Sequence, residues 1–522
     1  MKTSSFILFL VYSCVNTSKG SHVLVVFPVP GKSHSILGNS IVNILLDAGH
    51  QVTYVTPFPL ETNNTKLKNA DISSILFDMS DNERLNIEKM AGNQKPSHWI
   101  LHVGSMFAAK ALRHSAVQEI LNDPRSAFDV VIAEWFYSGL LAPLAAVYEC
   151  PLIWYSSGDV SWQSLRMVHE ASSPAYSVDL QSSAAPAAPF TSGDKIRQLM
   201  LQVYLSGWIF YLTNYVEKPE YRKIFSAPLL LRGRPVADYE SIAYNASLLL
   251  INSHPPLGQN VPLPRSAKYI GGHHLSSTPR PLPLDLKRLL DESTQGVVYF
   301  SMGSNLKARD LPESMKRELL TMFGMLEQTV LWKLEEDLED VPSNVHILEW
   351  APQESILTHE NLILVISHGG LLTITEATHH GVPMIGIPIY GDQFVNVDLV
   401  VQRGCGLRVD YSNDLPNKIR EAVDEIISNS SYRFNAKSVS SVFRRRLASP
   451  QKELLHWVEL VIYTRGAEFL RSPALSIPTL QRLHFDVLLL IVSLLWFLSK
   501  VVNVIKAHFN QEDGADVTKK DD

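Results

Sequence analysis

The chain has 522 residues, a net charge of −6 and a hydrophobic content of 46%. This length predicts two or three domains, and the composition excludes a disordered chain. The sequence contains no block of like charges, which argues against nucleic acid as a partner. Of the three cysteines, Cys14 lies in a segment that we expect to be removed. Cys150 and Cys405 are far apart in the sequence, so neither a disulfide framework nor a cysteine zinc site is expected.

The N-terminus carries a short apolar run. Residues 4–15 follow Lys2 and precede the small residues Ser18 and Gly20. This pattern is typical of a secretory signal peptide, and the run is too short to span a bilayer. We therefore expect residues 1–20 to be a signal peptide, and the alternative is a first core strand.

Residues 21–254 are predicted to form a first α/β domain. The predicted elements are strands at 22–28, 51–57, 128–134 and 151–157 and a helix at 35–50. The strands are continuous apolar runs, as expected of strands buried on both faces, and they alternate with helices, which indicates a parallel sheet. Residues 172–193 are rich in Ser, Ala and Pro and are predicted to form a loop.

A proline-rich stretch, residues 255–283, is predicted to connect the first domain to a second α/β domain at residues 284–448. The strands predicted in the second domain are residues 296–304, 329–334, 346–350, 362–367 and 383–389. The expected fold class is α/β, with two Rossmann-like, doubly wound parallel-sheet domains that face each other across a cleft. Ligands of such sheets bind outside the carboxyl ends of the strands, so two substrates can occupy different domains.

The C-terminal region predicts a membrane anchor. Residues 449–484 include a helix, predicted at 456–471, that returns to the first domain. Residues 485–505 are predominantly apolar and have close to the ~20 residues that a transmembrane helix requires. Lys500 lies late in this run, where its long side chain can reach the interface. A buried core helix is the alternative, and residues 506–522 are otherwise a cytosolic tail.

A signal peptide followed by one late transmembrane helix predicts a single-pass type I protein. The tail ends with Lys519 and Lys520 followed by two aspartates, which resembles the dilysine signal that returns membrane proteins to the endoplasmic reticulum. Three Asn-x-Ser/Thr sites are candidates for glycosylation, at Asn63, Asn245 and Asn429. We therefore expect a protein of the endoplasmic reticulum membrane with lumenal catalytic domains.

The most informative segment of the sequence runs from Trp350 to Gln393. Within it, the buried strand at 362–367 turns through His368 and Gly370 into a helix. Glycines at this turn let the backbone approach a ligand, and the helix N-terminus offers free N–H groups to an anion. His368 can donate to a phosphate oxygen, and Trp350 offers a flat face to a base.

Three further polar residues of this segment suit a sugar. Glu376 lies in the second turn of the helix and can reach a sugar diol, and Asp392 and Gln393 follow the next strand, where they can bond hexose hydroxyls. Each residue alone has an ordinary structural interpretation, such as core packing for Trp350. Together, in this order and at strand ends, they indicate a nucleotide-sugar site.

The segment resembles the donor-binding signature of the UDP-glycosyltransferase family, which includes the UDP-glucuronosyltransferases and has the GT-B type of fold. The resemblance extends from the Ser-His-Ser sequence near residue 34, through residues 300–304, to residues 456–474, and it is greatest with arthropod membrane-bound members. It implies that Trp350 stacks on uracil, that Gln353 and Glu376 hold ribose, that His368 with Gly303 and Ser304 holds the diphosphate, and that Asp392 and Gln393 hold the transferred sugar. Two residues depart from the family pattern. Thr378 replaces an apolar residue, and Leu372 replaces an asparagine that many vertebrate members place near the phosphates.

The turn after the first strand contains a candidate catalytic base. A phosphate-binding P-loop would require a glycine where the chain has Val26, which argues against that interpretation of the Gly-Lys-Ser sequence. The pKa range of histidine suits a general base at neutral pH, and the resemblance assigns this role to His34. It also places an acidic residue at the end of the strand at 128–134, where Glu134 would orient the imidazole. Asp129, at the start of that strand, is interpreted as a surface residue.

No cofactor and no metal are expected, because the sequence contains no Asp-x-Asp motif. The helix N-terminus behind Gly370, together with His368, would stabilise the departing UDP. The resemblance implies a hexosyltransferase with a single in-line displacement that inverts the anomeric carbon. The Gly-Gly-Leu-Leu turn favours UDP-glucose as the donor, with UDP-glucuronic acid as the alternative. A binding protein without catalysis is the alternative from another class.

The acceptor is expected to be a small lipophilic hydroxyl compound bound by the first domain, at residues 21–254. The regions at 85–125 and 155–225 contain the apolar side chains that suggest such a pocket, namely Trp99, Met106, Phe107, Trp162 and Met167. Detoxification, hormone conjugation and pigment conjugation are not distinguished by the sequence. Members of the family often self-associate, so a homo-oligomer is left open.

Overall fold

The computed structural model describes residues 20–77, 96–169, 171–276, 278–304, 308–482 and 484–517. The predicted signal peptide before Gly20, residues 85–95 of the predicted acceptor region, and the tail lysines Lys519 and Lys520 lie outside the described residues. By its contacts the chain divides into two units, Met1–Arg471 and Ser472–Asp522. The first unit contains both α/β halves.

Two parallel sheets organise the first unit. The strands are β1 (His22–Val26), β2 (Gln51–Thr56), β3 (Leu67–Asp71), β4 (Val130–Trp135), β5 (Leu152–Ser156), β6 (Leu248–Ile251), β7 (Ala267–Tyr269), β8 (Val297–Ser301), β9 (Thr329–Lys333), β10 (Val345–Leu348), β11 (Leu362–Ser367), β12 (Met384–Gly386) and β13 (Gly406–Arg408). In the described part of the chain, the first sheet has seven strands in the order β3-β2-β1-β4-β5-β6-β7. The second has six, in the order β10-β9-β8-β11-β12-β13. This confirms the predicted pair of Rossmann-like sheets.

Helices cover the sheets. Those of the first domain are α1 (Lys32–Asp47), α2 (Trp99–Arg113), α3 (Ser115–Asn122), α4 (Pro143–Tyr148), α5 (Trp162–Leu165), α6 (Ser192–Leu212), α7 (Lys218–Leu231) and α8 (Tyr239–Ala243). Those that follow are α9 (Leu284–Glu292), α10 (Glu313–Gly324), α11 (Gln353–Leu357), α12 (Leu371–His380), α13 (Gln393–Gln402), α14 (Leu415–Ser428), α15 (Ser431–Arg444), α16 (Pro450–Tyr463), α17 (Thr479–Arg482) and α18 (Phe485–Val517). Short 3-10 turns occupy Ser73–Leu76, Ala308–Asp310, Glu468–Leu470 and Pro473–Ser476, and a π-helical turn, Thr213–Glu217, joins α6 to α7.

Each of the two sheets contains one switch point, at which the strand order reverses. In each sheet the chain runs outward in one direction, returns to the middle and continues in the other direction. The reversal lies between β1 and β4 in the first sheet and between β8 and β11 in the second. A crevice opens at the carboxyl ends of such neighbouring strands, and open α/β sheets bind ligands there.

Two boundaries differ from the sequence prediction. Residues 255–283, predicted as a connection, include β7, which pairs with β6 as the last strand of the first sheet. The helix predicted at 456–471 begins earlier, at Pro450, because the Ser449 side chain caps it by accepting from the Lys452 N–H. It ends at Tyr463, and Arg465 and Ala467 then have φ angles of 53° and 46°, which an α-helix cannot continue through.

Helix α16 belongs to the core of the first domain, although it follows the second domain in sequence. Its buried side chains Leu454, Val458 and Val461 pack in one cluster with Ile41 and Leu45 of α1. Burial of three large apolar side chains stabilises this attachment by roughly 1.5–3 kcal/mol each. The chain therefore closes on the domain in which it began.

The second unit contains the predicted anchor. Within α18, Phe485–Lys506 has a mean hydropathy of 2.3 and is long and apolar enough to cross a membrane. Its side chains are exposed in the structure, as expected of a helix that packs against lipid. All three predicted glycosylation sites, Asn63, Asn245 and Asn429, have exposed side chains in the first unit, and their use stays a prediction.

Candidate active site

The first switch point brings together the two residues predicted to do the chemistry. His34 lies in the first turn of α1, directly after β1, and Glu134 lies near the end of β4. The two strands pair in parallel, with Val26 opposite Ala133, so their carboxyl ends are neighbours. The residues are 100 positions apart in sequence, and the sheet alone accounts for their contact.

His34 and Glu134 form a short hydrogen-bonded pair. The distance from His34 Nδ1 to Glu134 Oε1 is 2.5 Å, the carboxylate is fully buried, and the imidazole is 16% exposed. Ser157, after β5, donates its hydroxyl to the same Glu134 oxygen at 2.6 Å. The edge of the His34 ring meets Phe136, with ring centroids 5.3 Å apart. Because Nδ1 is bound to Glu134, Nε2 is the nitrogen left for a ligand.

A cleft of about 800 Å³ lies between the two sheets and is lined by both domains. Its walls include all the predicted site residues except Glu134, which lies behind His34: His34, Gly303, Ser304, Trp350, Gln353, His368, Gly370, Glu376, Asp392 and Gln393. The volume suits a nucleotide sugar with a small acceptor, since ligand sites commonly have ≈ 300–1,000 Å³. The structure thus assembles residues from both halves around one space.

Two glycines shape the second switch point around His368. Gly303 has a φ of 90°, and a Cβ there would come within 2.5 Å of the His368 ring. A Cβ on Gly370 would meet the same ring at 2.5 Å. Both positions therefore require glycine because the imidazole sits against the backbone. Gly370 caps α12 without a side-chain hydrogen bond, so the first N–H groups of α12 are available to an anion.

Lys333 is a cation at this switch point that the sequence interpretation missed. It ends β9, its Nζ donates to the Gly303 carbonyl at 3.0 Å, and it pairs with Glu335 at 2.5 Å. Burial and the charge of Lys333 lower the pKa of His368 to about 4. The imidazole is therefore neutral near pH 7, and the positive charge beside the Gly303 turn comes from Lys333. The signal for it was a lysine at the end of an apolar strand, next to strand β8, which leads into the turn at Gly303.

The predicted ribose pair is formed and is itself held by the protein. Gln353 donates its amide to Glu376 Oε2 and to the Thr373 hydroxyl, the latter at 3.2 Å. Tyr299 donates its hydroxyl to Gln353 Oε1 at 3.2 Å. Burial, with a smaller contribution from Glu354, raises the pKa of Glu376 to about 7. Gln353 and Glu376 thus form one hydrogen-bonded polar cluster that lines the cleft.

The ring of Trp350 is accessible, as stacking of a nucleotide base on it requires. The side chain is 56% exposed, which is unusual for tryptophan and excludes a core role. Lys32, from the first turn of α1, places its Nζ 4.4 Å from the centroid of the ring. The first domain therefore reaches the predicted uracil platform of the second.

The two residues predicted to hold the sugar, Asp392 and Gln393, differ in which of their polar atoms remain available to a ligand. Gln393 Oε1 accepts from the Ile389 and Tyr390 N–H groups, at 2.9 Å and 3.1 Å, so the oxygen holds the preceding turn. Only the amide NH₂ of Gln393 is left for a sugar hydroxyl. Asn396 donates to Asp392 at 2.9 Å. Burial raises the pKa of Asp392, and the hydrogen bond from Asn396 opposes that shift.

The apolar side chains proposed for the acceptor pocket are mostly elsewhere. Phe107, Trp162 and Met167 are buried in the core of the first domain, where Trp162 donates to Asp179 at 2.5 Å, and Met106 packs against that core. Trp99 lines a neighbouring cavity of about 320 Å³. The apolar walls of the main cleft beside His34 come instead from Ile36, Ile100, Phe136, Tyr137 and Leu180. Composition could not separate these sets, because buried and cleft-lining aromatics look alike in sequence.

One of the two departures from the family pattern contacts both the cleft and the first domain. Leu372, in the first turn of α12, lines the cleft and packs against the apolar cluster of the first domain. Its apolar side chain thus contributes a contact between the domains.

Cys150 and Cys405 are free thiols, and burial raises the pKa of Cys405 to about 11. Among the residues that the structure describes, no three His, Cys, Asp or Glu side chains are grouped as metal ligands, and the expectation of no cofactor stays a prediction.

Comparison with known proteins places this site in a family. The profile of the family described as UDP-glucoronosyl and UDP-glucosyl transferase matches residues 22–513. The chain is 31% identical to UDP-glucosyltransferase 2 of Dactylopius coccus, over 94% of this chain and 93% of that protein. It is 26% identical to human 2-hydroxyacylsphingosine 1-beta-galactosyltransferase, over 95% and 91% of the two chains.

A solved structure supports the fold independently. The UDP-glucosyltransferase from Polygonum tinctorium that glucosylates indoxyl superimposes with a TM-score of 0.57 at 15% identity, covering 85% of this chain and 99% of that one. At this identity the likeness concerns the fold, which is of the GT-B type. The family match over almost the whole chain carries the identification: the chain belongs to the UDP-glucuronosyl and UDP-glucosyl transferase family and is a UDP-glycosyltransferase.

Proposed function

We propose that this enzyme transfers glucose from UDP-glucose to a hydroxyl group of a small lipophilic acceptor, with inversion at the anomeric carbon. The observation that carries the proposal is the His34–Glu134 pair, in which His34 lines a cleft opposite a complete set of candidate donor residues and Glu134 lies behind it. A base in one domain and a leaving-group site in the other suit a direct displacement between two bound substrates.

The reaction is a single displacement. The acceptor hydroxyl gives its proton to His34 Nε2 as its oxygen bonds to the anomeric carbon, and the bond from that carbon to the UDP oxygen breaks. Glu134 stabilises the imidazolium that forms, because its carboxylate already accepts from Nδ1. The negative charge on the departing UDP meets Lys333, the neutral N–H of His368 and the free N–H groups of α12.

Several observations favour a neutral hexose over glucuronic acid. A transferred glucuronate would need a cation near Asp392 and Gln393. Among the described residues that line the cleft, the lysine and arginine are Lys333, at the Gly303 turn, and Arg280, whose carbonyl accepts from Ser355 in α11. Lys333 thus lies at the turn predicted to hold the diphosphate, and the Arg280 backbone lies against α11, the helix that begins with Gln353. Two of the relatives are named ecdysteroid UDP-glucosyltransferases, and others transfer galactose, which is also uncharged.

The acceptor side of the cleft supports a lipophilic compound. Ile36, Ile100, Phe136, Tyr137 and Leu180 surround the opening beside His34. Apolar walls with one convergent base bind a compound largely by burying its surface and leave the reactive hydroxyl to be positioned by a single hydrogen bond. A phenol or a small alcohol on an apolar frame meets this requirement.

We also propose that Phe485–Lys506 anchors the enzyme in the membrane of the endoplasmic reticulum, with the first unit in the lumen. The apolar helix and the three exposed glycosylation sites support this arrangement. Treatment of the expressed protein with an endoglycosidase should increase its mobility on a gel. Replacement of Asn63, Asn245 and Asn429 together should abolish that shift, and a protein whose mobility never changes would contradict the lumenal assignment.

The function is tested with a donor panel. Microsomes that contain the full chain receive a lipophilic phenol with UDP-glucose, UDP-galactose or UDP-glucuronic acid, and the conjugates are separated by mass. We expect the glucoside to predominate. His34→Ala should reduce its formation by ~10²–10⁴-fold while UDP binding is retained. The matched control is His346→Ala, which changes a histidine of β10 outside the cleft and should leave turnover unchanged.

Each other outcome has a definite meaning. Conjugation from UDP-glucuronic acid alone would contradict the donor assignment and leave the base in place. Equal loss of turnover and of UDP binding in His34→Ala would contradict the base assignment. UDP binding without any conjugate, across a broad set of phenols and alcohols, would favour a binding protein.

A further inference from the structure

His274 lies where the chain crosses from the first domain to the second. It follows β7 and precedes α9, and its neighbours bind both halves. On one side, His273 is held by Ser40 of α1 and by Tyr155 of β5, at 3.0 Å and 2.8 Å. On the other side, the Ser276 N–H donates to Glu354 of α11 at 2.6 Å. His274 is thus fixed between the two anchored ends of the crossing.

The His274 side chain is buried and has no hydrogen bond. It is 2% exposed, and neither Nδ1 nor Nε2 has a partner among the described residues. A buried polar group without a partner costs ≈ 1–3 kcal/mol, and such groups in native proteins call for an explanation. The other cleft histidine of the first domain, His34, has its Nδ1 bound to Glu134. Both ring nitrogens of His274 are therefore available for a further contact.

The polar group facing His274 is the predicted ribose carboxylate. The distance from His274 Nε2 to Glu376 Oε1 is 3.8 Å, which is too long for a hydrogen bond and short enough to become one after a small movement. The other Glu376 oxygen already accepts from Gln353. His274 belongs to the crossing segment and Glu376 to α12 of the second domain, so the gap between them changes when the domains move.

We propose that His274 is a positioning residue of the donor site, which donates from Nε2 to Glu376 Oε1 when the nucleotide draws the two domains together. This inference rests on the proposed role of Glu376 in holding ribose. With Gln353 on one oxygen and His274 on the other, the carboxylate has a fixed orientation, and its remaining lone pairs accept from the ribose hydroxyls. The domain crossing thereby takes part in recognising the nucleotide.

The charge states agree with this arrangement. Burial, with His379 as a smaller cause, lowers the pKa of His274 to about 4, so near neutral pH the ring donates as an uncharged imidazole. The pKa of Glu376 is raised to about 7 by burial and by Glu354. A hydrogen bond from His274 favours the carboxylate form, which is the better acceptor for ribose.

The test compares two substitutions at one position in the full chain in detergent micelles. His274→Leu removes both ring nitrogens, whereas His274→Gln retains an N–H donor. Calorimetry measures the Kd of UDP and of 2′-deoxy-UDP, which lacks one ribose hydroxyl. We expect His274→Leu to weaken UDP about tenfold, the equivalent of one hydrogen bond to a charged group, and to lose most of the preference for UDP over 2′-deoxy-UDP. His274→Gln should recover both, and the acceptor KM should not change.

Controls separate this role from packing. His346→Leu removes a histidine of β10 outside the cleft and should leave both Kd values at the wild-type level. Glu376→Gln combined with His274→Leu should weaken UDP by less than the product of the single effects, because the two residues act on one contact. If His274→Leu does not fold, His274→Phe keeps a planar ring without a donor and serves in its place.

Two results would overturn the proposal. One is a His274→Leu protein with wild-type UDP affinity and wild-type preference over 2′-deoxy-UDP. The other is a His274→Gln protein that binds UDP as weakly as His274→Leu, which would mean that the shape of the side chain, and not its N–H donor, determines the affinity. Both readouts are binding measurements, so they stand apart from turnover. A wild-type enzyme that binds UDP but transfers no glucose would contradict the proposed function and leave the His274 test intact.

Discussion

The two switch points of this enzyme have the same topology, but they differ in how many of their polar groups already have a partner within the protein. At the first, between β1 and β4, His34 and Glu134 are already joined at 2.5 Å, and Ser157 supports the carboxylate. At the second, between β8 and β11, His368 is half-buried with a lowered pKa, the N–H groups of α12 lack a capping side chain, and Trp350 is exposed. One site is assembled by the fold alone. The other still has donors and surfaces without partners.

The difference follows from what each site must do. A general base has to be oriented before the acceptor arrives, and a buried carboxylate beneath the imidazole provides that orientation. A site for a large anionic nucleotide must instead keep N–H groups and an aromatic face free, and the ligand then supplies their partners. Substitutions in the first site should therefore reduce turnover, and substitutions in the second should reduce affinity.

The largest effect should come from the buried carboxylate. Glu134→Gln keeps the shape of the side chain and removes the charge that stabilises the imidazolium, so kcat should fall by ~10²–10⁴-fold. The Kd of UDP should stay within about twofold of the wild-type value, because Glu134 does not line the cleft. Stopped assays of glucoside formation and calorimetry with UDP measure the two quantities.

Two further variants test whether the effect on kcat depends on the charge and position of the Glu134 carboxylate. Asp129→Asn changes the exposed carboxylate just before β4, which accepts from the His22 N–H, and should leave kcat near wild type. Glu134→Asp retains the charge with a side chain one methylene shorter and should have intermediate activity. A Glu134→Gln enzyme with normal kcat would remove the main distinction between the two sites.

The second-largest effect should be a pH dependence of donor affinity. Burial raises the pKa of Glu376 to about 7, so the group is a carboxylate above that pH and a neutral acid below it. The carboxylate is the stronger acceptor for ribose, and the Kd of UDP-glucose should therefore weaken about tenfold between pH 8 and pH 6. The measurement uses UDP-glucose without an acceptor, since its diphosphate does not titrate in this range.

The groups that face Glu376 do not account for such a profile. His274 has a pKa of about 4, that of Tyr299 is raised by burial, and Glu354, although raised, starts from a carboxyl value of 4.5. Glu376→Gln should abolish the change between pH 6 and pH 8. A profile that persists in this variant would assign the titration to another residue.

The sequence predicted those parts of both sites that depend on local pattern. The strands at 22–28 and 362–367, the turn at His368 and the helix beginning near Leu371 follow from apolar runs and glycines, and the structure has them within a few residues. The pairing of His34 with Glu134 joins residues 100 positions apart. Only the resemblance to a family, not spacing, could suggest it.

The parts that escaped prediction depend on how elements pack. Lys333 is important because β9 lies next to β8, and His274 because the crossing passes beside α12. Ile100 and Phe136 line the cleft while Phe107 is in the core, although all three are apolar residues. Which side of an element faces the cleft is decided by the opposite domain, and one sequence carries no periodic signal for it.

A smaller effect should come from the contact that ties the loop predicted at residues 172–193 to the second domain. The Ala185 N–H donates to Asp398 of α13 at 2.7 Å, and the Ala185 carbonyl accepts from Gln402 at 2.8 Å. Leu180 and Gln181, earlier in this loop, line the cleft. Asp398→Ala should raise the acceptor KM about threefold to fivefold, the equivalent of one hydrogen bond, with little change in the Kd of UDP.

Arg408 provides the control for this loop. It pairs with both Asp398 and Asp410, at 2.9 Å and 2.7 Å. Asp410→Ala removes one partner of Arg408 and leaves in place both bonds to Ala185 and the bond from Arg408 to the Ser183 carbonyl of the same loop at 3.2 Å, so it should leave the acceptor KM unchanged. Equal effects of the two substitutions would mean that the pairing of Arg408, and not the hold on Ala185, determines acceptor binding.

The smallest effect concerns the side chain that links the two switch points. Lys32, two residues before the base, places its Nζ 4.4 Å from the ring centroid of Trp350. Uracil stacked on this ring and the lysine compete for aromatic surface, and an exposed cation–π contact is worth ≈ 0.5–1 kcal/mol. Lys32→Met should therefore tighten UDP by about twofold to fivefold. Weaker binding would mean instead that Lys32 contacts the nucleotide, so that the first switch point would also contribute to nucleotide binding. Trp350→Leu, made with and without Lys32→Met, distinguishes the two cases. If the lysine and uracil compete for the ring, the effect of Lys32→Met disappears when the ring is removed.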